Sequence, residues 1–575
     1  MLHYNLKKII KFMKKIFFIL IVSLLIIQTG CKKTLLDKIP QDQISSSTFW
    51  TNANEARLAL NGCYSYLSTN DNYSTGYYYT YDDGASDNAF AQYPWESNAT
   101  AISAGNIDAS IDQGYNSRYT FIRRFNWFLD NIEKTPMDKD LMKRYIAEAR
   151  VLRAFAYFEL AKTFGPVPLL TKSYTDPLTT AIAPTSVDSV ITFVLSELSS
   201  AAGDLPDSYA GGQNYEKGRI TSGAAWAIKA RVELNYSKWA DAAASAQHIM
   251  DGRYSLFRVA SLTADDMKDD YSELVTFAND ADKQKFYKGL ASYTQQFWAV
   301  NNDNSGVILE SQNITNSSYT YGNGLRTLFP PAVLGGWSSI TPTQELVNAY
   351  WDRTGNPITP PTAEQRATNF NDGAPTAAFY NEFKNRDTRL YASILFPSNP
   401  WNDFNAGYTF SWNGGGNNNS ETGYNFKKLV DPAYIANDWD GAQNFPIIRY
   451  AEVLLTYAEA KNEQSGPDAS VYAALDDIRD RSGMSPVDQS IYNTQDKLRE
   501  LIHNERRIEL AGEGQRYSDI RRWNIAKDVM HNIYDLKNNP VQQRVWKPIY
   551  NLMPYPQSAL DHNPNLKNAE ATKGY

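Results

Sequence analysis

Two cysteines, Cys31 and Cys63, are all the chain contains, which excludes a scaffold stapled by disulfides. Histidine is nearly as scarce: there are five, His3, His248, His503, His531 and His562. None stands in an H-x-x-x-H metal-ligand spacing. The sequence holds no G-x-S-x-G and no phosphate-cradling G-x-x-x-x-G-K-[ST], so it lacks a nucleophile elbow and a P-loop. Positive charge is not in excess either. Lys and Arg total 56 against 63 Asp and Glu, a net charge of −7, which argues against nucleic acid as a partner. Paired carboxylates for glycoside hydrolysis stay open, because they need only meet across a cleft. Asp82, Asp83 and Asp87 do not have the spacing of a calcium loop, and a solvated acidic loop accounts for them.

Aromatic residues are abundant: they make up 13% of the chain, with 38 Tyr and 13 Trp. Many fall in Gly/Asn-rich stretches without periodicity, so core packing alone does not account for them. Asn72 to Trp95 holds six Tyr, one Phe and one Trp among Gly, Asp and Asn. Phe297 to Trp337 carries Trp298, Tyr319, Tyr321 and Trp337, and Asn402 to Tyr424 is a third stretch of this kind with low-complexity character. Flat ring faces among amides suit the C–H faces and hydroxyls of a sugar. The same surface suits peptide.

Residues 1–30 read as a targeting segment. Lys7, Lys8, Lys11, Lys14 and Lys15 precede an apolar run, Ile16 to Ile27, that is short for a membrane span. The run ends at Gln28-Thr29-Gly30-Cys31, which resembles a lipobox whose Cys31 is lipidated; an ordinary signal peptide with an incidental cysteine is the plainer alternative. Lipid would anchor the protein without spanning the membrane. Cys63 reads as a small core residue in a helix.

Helical spacing recurs over Tyr115 to Ile132, Leu141 to Phe164, Val187 to Ala202, Ile220 to Asn235, Trp239 to Met250, Ile447 to Asn462 and Ser470 to Arg481. Before them, Asn52 or Asn54 can cap a helix with Leu58 and Leu60 packing inward. Ile220 to Met250 looks like a degenerate tetratricopeptide pair, with Trp226, Ala230 and Ala242 at the contact positions. Several such pairs predict a mainly α fold, a right-handed superhelix with long irregular insertions, in one compact body.

The densest stretch is Asp496 to Trp523, DKLRELIHNERRIELAGEGQRYSDIRRW. Glu505 falls on the apolar stripe of its helix, where a carboxylate must be paired. Arg506, Arg507, Arg516, Arg521 and Arg522 are the partners at hand, and Gly512 and Gly514 suit a helix stop and turn. Either an anion clamp or a buried ion-pair network joining two helices fits, and the network is the simpler reading; Glu505, Arg506 and Arg521 are its expected members.

NERRIELAGEGQRYSDIRRW resembles the C-terminal signature of the SusD/RagB family of nutrient-binding outer-membrane lipoproteins, and Lys32 to Tyr64 resembles the start of such proteins. The resemblance implies a SusD-like N-terminal region over 31–235 and a RagB/SusD C-terminal region over 275–575. It further implies a non-enzymatic lipoprotein facing the cell exterior; from the residues themselves no cofactor and no metal site is expected, with calcium left open. This protein would pass oligosaccharide to a SusC-like TonB-dependent transporter. A RagB-like peptide binder and a surface hydrolase are the alternatives. By position in the family's platform loops, Tyr77, Tyr81, Asp87, Asn88, Trp95, Trp298, Tyr319 and Trp337 are the expected ligand contacts. The Ser86-Asp87-Asn88 run itself resembles the family and therefore has a structural reading too.

Overall fold

Alanine-rich helices that let neighbours approach on every side form the frame. The computed structural model describes residues 49–67, 76–174, 177–209, 216–315, 322–434 and 440–575, together with positions 11, 13 and 14. Cys31 and Tyr319 lie outside the described residues, as does the side chain of Tyr77. Helix α1 (Ala53–Tyr64) begins where the Asn52 side chain accepts from the backbone N–H groups of Asn54 and Glu55. Leu60 is buried, but Leu58 is 52% exposed, against expectation. Two residues advance a helix by more than half a turn, so both cannot face one core. Cys63 is buried on this helix, and burial first of all pushes its thiol up to about 12.

After α2 (Gly76–Gly84) come α3 (Tyr115–Asn131), α4 (Lys139–Phe164), α5 (Val187–Ala202), α6 (Ser222–Asn235) and α7 (Trp239–Met250). From α3 to α7 each helix packs against the next. Ala147, Ala149, Ala154 and Ala156 bury α4 nearly all round, as a helix covered on both sides requires. Ala230 and Ala242 are likewise buried between α6 and α7, while Trp226 is half-buried against His248. The chain then leaves the row for two hundred residues, an excursion that includes α8 (Asp280–Gln295). It returns through an antiparallel pair, β2 (Val307–Ser311) with β4 (Phe445–Arg449). Helix α9 (Tyr450–Ser465) lies directly on α7, and both α10 (Ala469–Arg481) and α11 (Gln495–Glu509) pack on α9. The repeats are thus split in sequence and continuous in space. The fold is mainly α, as the helical periodicity predicts.

A buried ionic web fastens α11 to its surroundings. Glu505 receives Arg389 at 2.7 Å and Arg479 at 2.8 Å. Glu509 receives Arg389 at 3.1 Å, Arg449 at 2.7 Å and Arg481. Glu513 receives Arg449 at 2.7 Å and Lys428 at 2.6 Å. Arg506 pairs with Asp519 on α12 (Arg516–Arg522) at 2.8 Å. Arg521 differs from expectation: its guanidinium donates to the carbonyls of Asn551 and Lys162 and not to a carboxylate. Every carboxylate in the web is buried, and removing one partner of such a set costs about 3–5 kcal/mol through the charge left behind.

Candidate ligand platform

The aromatic insertions meet at one edge of the frame. Strand β1 (Ala89–Ala91) pairs antiparallel with β3 (Ile340–Pro342), and Gln92 N–H extends the ladder to Ser339 O at 2.8 Å. The Tyr93 hydroxyl then ties in the third insertion: it donates to Asn418 Oδ1 at 2.9 Å and accepts from Asn418 N–H at 2.8 Å. Asn418 O in turn accepts from Ala332 N–H at 2.8 Å and from the Ser338 hydroxyl at 3.2 Å. Asn418 sits at φ +60°, in the left-handed region that Asn tolerates better than most residues.

Trp95 stands on this support. Its ring stacks on Tyr93 with centroids 4.7 Å apart and planes 28° from parallel, and the residue is 76% exposed. Exposed amides of Asn413, Asn417 and Asn419 belong to the loop Tyr93 holds. Glu96 lies below, accepting from Tyr81 Oη at 2.6 Å and Ser339 Oγ at 3.2 Å, and burial raises its pKa. Trp337 is half-buried next to Ser338 and Ser339, its backbone N–H donating to Thr327 O at 2.7 Å.

Other expected contacts lie deeper. Tyr81, Asp87 and Asn88 are all buried. Asp87 is gripped by Arg516 at 2.8 and 2.9 Å and by Arg507 at 2.8 Å. Burial alone would raise its pKa, but the Arg507 and Arg516 guanidiniums outweigh that and hold it well below the carboxylate range. Asn88 Oδ1 accepts from Arg507 Nε at 2.8 Å, and its carbonyl from Thr343 N–H at 3.0 Å. These three residues lie beneath the platform and are tied into the frame by these bonds. Asp82 and Asp83 are not a solvated loop either: they belong to α2, and burial lifts both to about 7.

The family model described as "SusD family" matches residues 298–575. A second, described as "starch-binding associating with outer membrane", matches residues 35–234. The chain belongs to the SusD family. SusD-like protein P25 of Formosa agariphila is 24% identical to this SusD-family protein over 97% of the chain and 99% of the relative. A solved SusD-like carbohydrate binding protein of Bacteroides fragilis matches with a TM-score of 0.74 at 26% identity, covering 90% of this chain and 100% of that one. A solved laminarin-binding SusD-like protein matches at 0.62 and 22% identity over 89% and 98%, a likeness of fold.

In this SusD-family protein Trp298 lies apart from the other two tryptophans. It is half-buried at the edge of a recess of about 660 Å³, lined also by Arg258, Asp266, Lys268, Asp403 and Lys427. The charges there are mutually satisfied, Lys268 with Asp403 at 2.8 Å and Lys427 with Asp269 at 2.9 Å. Tyr93 and Asn418 went unnoticed in the sequence. The signal for Tyr93 was available: Tyr-Pro-Trp-Glu is a turn sequence, and the turn it forms, closed by Glu96 N–H on Tyr93 O at 3.1 Å, lets the two rings stack. Asn418 had none, since one Asn among three in a row carries no mark of which will bend.

Proposed function

We propose that this SusD-family protein is a non-catalytic surface lipoprotein that binds oligo- or polysaccharide and delivers it to a SusC-like TonB-dependent outer-membrane transporter. The observation that carries this reading is Trp95, an indole left in water at 76% exposure yet held flat by the Tyr93 ring. The C–H face of a pyranose packs on such a ring, and the neighbouring Asn amides both donate to and accept from hydroxyls. Trp337 is the second ring of the same surface. The family's description and the carbohydrate-binding and laminarin-binding names of two relatives favour a glycan. Cys31, following a basic and apolar leader, supplies the anchor, with the platform facing the exterior. Tyr77 and Tyr319 stay candidates by position; Tyr81, Asp87 and Asn88 are buried and lend support from beneath.

Calorimetric titration of laminarin fragments, malto-oligosaccharides and a peptide panel tests this, with the chain as it stands and with Trp95→Ala. One glycan class binds, and the variant loses about tenfold or more in affinity with an unchanged melting temperature, because the ring contributes little to packing. Binding of peptides alone would move the reading to a RagB-like protein. Release of new reducing ends on incubation would replace it with a hydrolase.

A further inference from the structure

Away from the platform, α3, the segment 168–174 with Thr180, and residues 558–566 enclose a cavity of about 420 Å³. Tyr115, Tyr119, Pro168, Leu170, Ala559 and Leu566 give it mainly apolar walls. Those walls are pinned. Tyr119 Oη donates to Pro168 O at 2.8 Å, and Asn126 Nδ2 donates to Leu170 O at 2.8 Å and Lys172 O at 3.1 Å. Asn116 Nδ2 donates to Ser558 Oγ at 2.9 Å, and Asn563 Nδ2 to Ile182 O at 2.8 Å. A hollow tied on all three sides stands preformed and falls within the size that small ligands occupy.

Its charge is one-sided. Arg123 and Lys172 both line it and both are exposed. Neither charged group has an ion pair or hydrogen-bond acceptor among the described residues. The neighbouring arginines of α3 are engaged: Arg118 donates to Gln113 O at 2.7 Å and Arg124 to Gly62 O at 2.8 Å. No carboxylate is among the described lining residues. Asp112, just outside, is occupied by Asn116 N–H at 3.0 Å and Asn116 Nδ2 at 3.1 Å.

We propose that this cavity is a second binding site, for a small amphipathic organic acid whose carboxylate meets Arg123 and Lys172 and whose aliphatic or aryl body fills the apolar hollow. The inference is independent of the platform. It is tested by titrating octanoate and 4-phenylbutyrate into the full mature chain, alongside octanamide and 4-phenylbutanamide. The acids bind and each amide binds about tenfold more weakly, the difference a charge-assisted hydrogen bond makes. In Arg123→Gln/Lys172→Gln the preference for acid over amide disappears, while melting temperature and glycan binding at Trp95 hold, since both side chains face solvent. Acids that fail to bind, acids and amides that bind alike, or a double variant that keeps its preference would each overturn the proposal.

Discussion

Asp83 holds one carboxylate oxygen against the Gly512 N–H and leaves the other buried without a hydrogen-bond partner. Burial lifts its pKa from 3.8 to about 7, so the folded chain keeps a proton that the unfolded chain releases. The stability this gives is complete below the ordinary value and is lost as pH rises through the folded one. Asp83→Asn keeps the acceptor and removes the titration. Between pH 4 and pH 8, denaturant unfolding should therefore show the parent losing about 4 kcal/mol relative to the variant; parallel curves would deny the protonated state. Asp82 shifts in the same direction and keeps its own slope in both proteins. Such individual environments were not legible beforehand. Asp82, Asp83 and Asp87 look alike in sequence, yet two are raised and one is depressed, because only Asp87 meets arginines brought from some 420 residues away.

At the scale of elements, the Glu-Gly-Gln-Arg turn shows how tightly segments meet. Gly514 sits at φ +73°, and a Cβ there would lie 1.9 Å from the Tyr79 carbonyl oxygen of α2. Backbone meets backbone, so no side chain can swing aside. Gly514→Ala should cost about 2–4 kcal/mol, read as a lowered denaturant midpoint with unchanged slope; a midpoint within error of the parent would mean the approach is looser than drawn. The helices themselves were readable from periodicity: Val187–Ala202 and Trp239–Met250 fall where spacing puts them. Ile447 to Asn462 was misplaced by three residues, because Phe445–Arg449 forms a strand before the helix begins. A short buried strand and the start of a buried helix share one apolar pattern, and periodicity does not separate them. Nor could spacing show that Trp412 and Tyr424, in the loop richest in Gly and Asn, turn inward to donate to Ser420 O at 2.7 Å and Gln344 Oε1 at 2.5 Å, while Trp95 turns out.

For the whole molecule, the long excursion makes the helical row depend on both ends of the chain. Helix α7 finishes at Met250 and its neighbour α9 starts at Tyr450. Across this junction Arg231 of α6 and Glu452 of α9 form a buried two-point pair at 2.7 and 2.6 Å, with Arg231 also donating to Ile447 O at 2.6 Å. A fragment ending at Met250 would expose the face of α6 and α7 that α9 covers and leave Arg231 as an unpaired charge, a cost of several kcal/mol. Exposed apolar faces of that kind drive association. Residues 49–250 produced alone should therefore aggregate or lack a cooperative transition, whereas co-production with 251–575 should return a soluble pair that co-purifies and melts as one unit. Two fragments that each melt cooperatively and ignore one another would show that the row is two bodies laid side by side.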